Sequence, residues 1–192
     1  MSVEYELKFR ATEAALAAID AAFSAAPTLY QMETTYYDTP DRDLSARHIT
    51  LRRRLENQIS VCTLKAPAKE GRLEFELNCT DIQAAIPELC KLSDISELPP
   101  LLAKGVEPVC GARFTRQART VTFLGSTLEL ALDRGVLIGG GKEQPLCEAE
   151  VDLKEGNPRH ANLYAVQLAA TYGVKPEADS KFKRADRLSQ EA

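Results

Sequence analysis

Charged residues recur at every second position in five separate stretches of this chain. Glu4, Glu6 and Lys8 alternate with Val3, Tyr5, Leu7 and Phe9; Arg52 flanks Arg53 with Arg54. Arg72, Glu74 and Glu76 repeat the pattern, as do Glu129 and Asp133 through Ala131, and Glu148, Glu150 and Asp152. Successive side chains of a β-strand point to opposite faces, so each stretch describes a strand with one ionic and one apolar face. One such strand is only the solvated face of an antiparallel sheet. Five of them, sharing an apolar core on the other side, put ionisable groups across nearly a whole sheet face. Curling that face inward gives a barrel with a hydrophilic lumen.

Between these stretches the chain supplies eight strands, at residues 1–10, 32–37, 48–55, 59–65, 72–79, 109–123, 127–133 and 147–153. Thr12 caps a helix carrying Leu16, Ile19 and Phe23, and Thr80 caps another carrying Ile82, Ile86 and Leu89. Asn157-Pro158 starts a third that Gly173 ends, and a short basic tail follows. The expected fold is α+β: an eight-stranded antiparallel β-barrel with helices packed outside. No repeat, heptad or flexible linker divides the chain, so residues 1–192 read as one domain.

Composition removes other classes. No apolar run approaches a membrane span and no secretory leader opens the sequence, so a cytoplasmic protein without a membrane partner is expected. Cys62, Cys79, Cys90, Cys110 and Cys147 are odd in number and contain no CxxC pair, which suits reduced thiols rather than a disulfide framework or zinc site. With 24 Lys and Arg against 28 Asp and Glu the net charge is −4, which argues against general nucleic-acid binding. His48 and His160 lie outside any ligand spacing, and Gly139-Gly140-Gly141 lacks the GK[ST] of a phosphate loop.

The residue types then specify the contents of the lumen. Glu4/Glu6 and Glu148/Glu150, meeting across a barrel, offer up to four hard oxygen ligands suited to Mg²⁺ or Mn²⁺. Arg52, Arg54, Lys65, Arg72, Arg116 and Lys181 supply cations that grip phosphate oxygens. In a strand Arg53 faces away from its two neighbours. Carboxylates alone would suggest calcium and cations alone an anion groove; the mixture points to a metal-bound polyphosphate.

These residues resemble the CYTH family, the triphosphate tunnel metalloenzymes. Glu4-Tyr5-Glu6-Leu7-Lys8 fits its ExExK signature on the first strand. Tyr36-Tyr37-Asp38-Thr39-Pro40, Leu51-Arg52-Arg53-Arg54, Thr63-Leu64-Lys65, Arg72-Leu73-Glu74-Phe75-Glu76, Phe114-Thr115-Arg116, Leu132-Asp133-Arg134-Gly135, Glu148-Ala149-Glu150 and Ser180-Lys181 follow in the family's order. Within it the chain is most similar to the bacterial inorganic triphosphatases. Those relatives often continue into a histidine-rich helical domain; the sequence in hand stops at Ala192, as a stand-alone member or as the catalytic part of a longer chain.

The resemblance implies that Glu4, Glu6, Glu148 and Glu150 hold the metal, Mg²⁺ or Mn²⁺. It implies that Lys8, Arg52, Arg54, Lys65, Arg116 and Lys181 grip a triphosphate, with Arg72 and Arg184 as further ligands or as counter-charges. Glu74, with Asp133, would serve a second metal or orient the attacking water, and Lys8 adds to the catalytic set. The expected reaction is metal-dependent hydrolysis of inorganic triphosphate to pyrophosphate and phosphate. The same tunnel serves class IV adenylate cyclases, thiamine triphosphatases and nucleoside or RNA 5′-triphosphatases, and a polyphosphate-binding module without turnover is the non-enzymatic alternative. The expected partner is therefore inorganic triphosphate or another triphosphate-bearing small molecule, and the expected assembly a monomer or homodimer.

Overall fold

A computed structural model of the chain describes residues 2–3, 5–68 and 71–190. Strands form where the alternation runs: β1 (Ser2–Val3), β2 (Glu6–Arg10), β3 (Thr28–Asp38), β4 (Thr50–Glu56), β5 (Ile59–Pro67) and β6 (Arg72–Asn78). They continue with β7 (Glu107–Phe123), β8 (Ser126–Gly139), β9 (Lys142–Glu155) and the two-residue β10 (Lys175–Pro176). All belong to one antiparallel sheet in the order β1-β6-β5-β4-β3-β7-β8-β9-β2-β10. The eight expected strands are all present; the first is divided into β1 and β2, and β10 is added. β1 pairs with β6 while β2 pairs with β9, so one N-terminal segment touches both margins of the sheet.

The last two long strands exceed their expected lengths. β7 and β8 turn through Leu124-Gly125, both at positive φ (50° and 80°), and β8 and β9 turn through Gly140-Gly141 at 57° and 73°. Paired left-handed residues match the twist of a two-residue hairpin, so the glycine run makes a tight turn between β8 and β9. The extended arms have a use: a side chain at Gly139 would collide with the carbonyl of Ala185.

The faces separate as the alternation requires. Leu128, Leu130 and Leu132 of β8 and Val151 of β9 are buried beneath α1 (Glu13–Ala21) and α5 (Pro158–Tyr172), together with Leu16 and Ile19. Leu51 and Leu64 are buried with Leu89 of α3 (Ile82–Ser93) and with the short α2 (Asp43–Ala46) and α4 (Leu98–Leu102). Each fully buried leucine contributes about 1.5–3 kcal/mol. Thr12 caps α1 as expected and accepts from the Ala15 N–H at 3.1 Å. The cap of α3 is Asp81 rather than Thr80, its carboxylate accepting from Gln83 N–H.

The expected basic tail is instead a helix, α6 (Lys181–Gln190). Phe182, Ala185 and Leu188 recur at helical spacing and pack on Met32, Ala112, Leu137 and Leu146. By two-residue periodicity Leu137 shares its strand face with Asp133, and Leu146 with Glu148. α6 therefore sits on the ionic face of the sheet, whereas α1 and α5 cover the apolar one. Among the described residues no helix is long and apolar enough to cross a membrane.

Candidate functional site: an ionic cavity inside the sheet

The ionic faces enclose a cavity of about 460 Å³. One wall carries four cations, Arg52 and Arg54 of β4, Lys65 of β5 and Arg72 of β6, interleaved with Glu56, Glu74 and Glu76. The register puts them near each other, with Thr50 opposite Lys65 and Lys65 opposite Glu74. Glu74 also lines the cavity and braces this wall, its carboxylate 3.1 Å from Lys65 and 3.3 Å from Arg52. Arg72 is tied through one nitrogen to the carbonyls of His48 and Lys65 and to the Thr50 hydroxyl. Burial and the neighbouring Arg52 charge push the Arg54 guanidinium below its ordinary value. Like charges held this close lower the cost of receiving an anion. Arg53 points outward and donates to the Thr80 carbonyl at 3.0 Å.

The opposite wall carries further carboxylates. Glu6 of β2 stands directly across from Asp152 of β9, and Asp152 across from Glu129 of β8. Like charges in direct cross-strand register repel, and here Lys154 offsets part of that, 3.3 Å from Glu129 and 3.7 Å from Asp152. Glu6, Glu150 and Asp152 each bring an oxygen within 4.8 Å of the other two. Three hard oxygens at that separation fit a divalent cation of the Mg²⁺ or Mn²⁺ kind. Lys8 lines the cavity beside them, 3.9 Å from Glu6.

A second acidic trio, Asp133, Glu148 and Glu150, is equally close but already holds a cation. The Lys181 ammonium lies 2.9 Å from Asp133 and contacts both glutamates. Arg116 binds Asp133 through two nitrogens at 2.8 and 2.7 Å and also contacts Glu150. Arg184 contacts Glu148 from the other side. Burial alone would raise Glu150, but Arg116 and Lys181 hold it well below the usual carboxylate range. Burial and the Glu150 charge carry Glu148 up to about 7 against the pull of Lys181 and Arg184. Lys181 rises above its ordinary value because the three carboxylates outweigh its burial.

These placements sort the residues expected from the sequence. Glu6, Lys8, Arg52, Arg54, Lys65, Arg72, Glu74, Arg116, Glu150 and Lys181 all line the one cavity. Glu4 lies outside the described residues. Glu148 and Asp133 are fully buried behind the wall, where they hold Lys181 and Arg116. Of the expected Glu4/Glu6/Glu148/Glu150 set, Glu6 and Glu150 gather with Asp152, while Glu148 gathers with Asp133 and Glu150. Arg184 does not line this cavity; it pairs with Glu148 and, at 3.6 Å, with Glu177. Asp152 stood in the sequence as the third member of the Glu148/Glu150/Asp152 alternation, and the register opposite Glu6 is what selects it. Tyr36 and Phe182 also line the cavity, their rings 5.2 Å apart where α6 meets β3.

Comparison with known proteins agrees with this architecture. An inorganic triphosphatase of Haemophilus influenzae is 34% identical over 155 residues, which are 78% of this chain and 44% of that protein. The chain thus spans less than half the length of that relative. A Hippeastrum protein studied as a candidate adenylyl cyclase and described as having a dominant triphosphatase activity superposes with a TM-score of 0.67 at 20% identity, covering 96% of this chain and 95% of its own. A candidate adenylate cyclase from Bacillus halodurans gives 0.65 at 15% identity, with coverage of 95% and 97%. At such identities the two structures speak for the fold alone. The CYTH domain model matches residues 2–185, nearly the whole sequence, and the chain belongs to the CYTH domain family.

Proposed function

We propose that this chain hydrolyses inorganic triphosphate to pyrophosphate and phosphate with the help of a divalent cation. The observation that carries the reading is the division of one cavity into a wall with four cations and a carboxylate trio. Glu6, Glu150 and Asp152 would hold Mg²⁺ or Mn²⁺, which supplies charge neutralisation on phosphate oxygens. Arg52, Arg54 and Lys65 bind the phosphate chain from the other wall, and Glu74 keeps two of them in place. Arg116 and Lys181 present further charge, fixed by Asp133 and Glu148 behind them. Phosphoryl transfer demands mainly positioning and electrostatic stabilisation, so fixed charges suffice without a covalent nucleophile. The Haemophilus influenzae relative, named for this activity, supports the choice of substrate.

The test is phosphate and pyrophosphate release from inorganic triphosphate with Mg²⁺, Mn²⁺ or chelator, beside ATP and thiamine triphosphate. Metal-dependent preference for inorganic triphosphate is expected, with Glu6→Gln and Asp152→Asn each lowering turnover by about a hundredfold or more. Cyclic AMP from ATP would replace the reading with a cyclase, and wild-type rates in both variants would remove the carboxylate trio from the reaction.

A further inference from the structure

A second hollow of about 470 Å³ lies beside α6 and shares no lining residue with the ionic cavity. Arg10, Arg184 and Arg187 face it, with Gln144 and the apolar Leu137 and Leu188, and among the described residues no carboxylate lines it. Three guanidinium groups thus line one hollow, and each already has a carboxylate partner. Their counter-ions stand outside the lining. Arg10 donates from Nε and one terminal nitrogen to a single Glu177 oxygen at 2.9 and 2.6 Å. Arg187 uses one nitrogen on Asp179 at 2.8 Å, and Arg184 reaches Glu148 and Glu177. These pairs use only part of the donors that three guanidinium forks carry. The Arg184 Nε–H is buried and makes no hydrogen bond among the described residues.

We propose that this hollow is a binding site for a small phosphate-type anion, separate from the ionic cavity. Arginine forks suit anions with several equivalent oxygens, and three of them offer more donors than one carboxylate can accept. The hollow would accordingly take inorganic pyrophosphate or phosphate in preference to a simple carboxylate. Neither Arg10 nor Arg187 belongs to the cavity machinery, and the proposal stands apart from the reaction assigned to that cavity.

Calorimetric titration with inorganic pyrophosphate, in chelator so that nothing turns over, tests it. The wild-type protein should show two binding events. Arg52→Ala should weaken one; Arg187→Gln and Arg10→Gln should each weaken the other by about tenfold or more. Arg187 is more than half exposed, so its variant keeps the fold even where the Arg10 change disturbs the Glu177 pair. A single event lost with Arg52→Ala and untouched by Arg187→Gln would overturn the site. Equal affinity for acetate and pyrophosphate at the second event would overturn the phosphate assignment.

Discussion

Replacing Lys181 with methionine tests the electrostatics of the cluster behind the cavity wall. The ammonium is shared by Asp133, Glu148 and Glu150, and none of these side chains is more than 4% exposed. Without it, three buried carboxylates face only Arg116 and Arg184. Removing one partner from a buried ion cluster costs about 3–5 kcal/mol. For a domain of this size that lowers the melting temperature by about 10 °C. The loss depends on pH with a definite sign. Glu148 in the folded protein already stands at about 7, raised by burial and by Glu150. Loss of Lys181 raises it further, so the folded state binds protons that the unfolded state, near 4.3, does not. Stability of Lys181→Met should therefore recover as pH falls from about 7 toward about 4.5, by at most about 1.4 kcal/mol per unit. Urea unfolding in chelator across this range measures it. A variant as stable as wild type at neutral pH, or one that loses more stability than wild type on acidification through the window, would refute the account.

Other expectations follow from single features. Glu177 lies below its usual value despite burial, because the Asp179 N–H, Arg10 and Arg184 favour its charged form. The stability it contributes is present above about 4.3 and lost as pH falls through its lower folded value, so Glu177→Gln should be less stable at neutral pH with a shallower acid limb in thermal melts. Burial pushes Cys110 up to about 12 and Cys62 up to about 11, so alkylation at mildly alkaline pH should leave both unmodified in the folded protein while urea exposes them, read by peptide mass mapping. Leu130→Ala, beneath α1 and α5, should cost about 2–5 kcal/mol in urea unfolding. Manganese binding followed by electron paramagnetic resonance should weaken strongly in Asp152→Asn and little in Glu129→Gln, which lies one strand beyond the trio.

Strand faces were legible in the sequence because a period of two needs no tertiary information. That periodicity separated Arg53 from Arg52 and Arg54 and identified the ionic residues of β4, β6 and β9. It does not fix where one strand stands against the next. β2 pairs so that Glu6 meets Asp152 and Arg10 meets Glu148, and this offset decides which carboxylates gather at the cavity. α6 was hidden for another reason: Lys181–Gln190 is strongly polar, with apolar contacts limited to Phe182, Ala185 and Leu188. A ten-residue segment of that kind owes its helix to the surface it packs on rather than to its own propensity.

The divided N-terminal strand bears on the order in which the molecule can assemble. β1 pairs with β6 at one margin and β2 with β9 at the other, and β9 ends at Glu155. A chain emerging from the ribosome cannot complete the sheet until β9 is available, and loop-closure entropy must be met before those contacts form. Its nascent forms will carry an unmated edge, so chaperone dependence and sensitivity to N-terminal fusions should be properties of this topology.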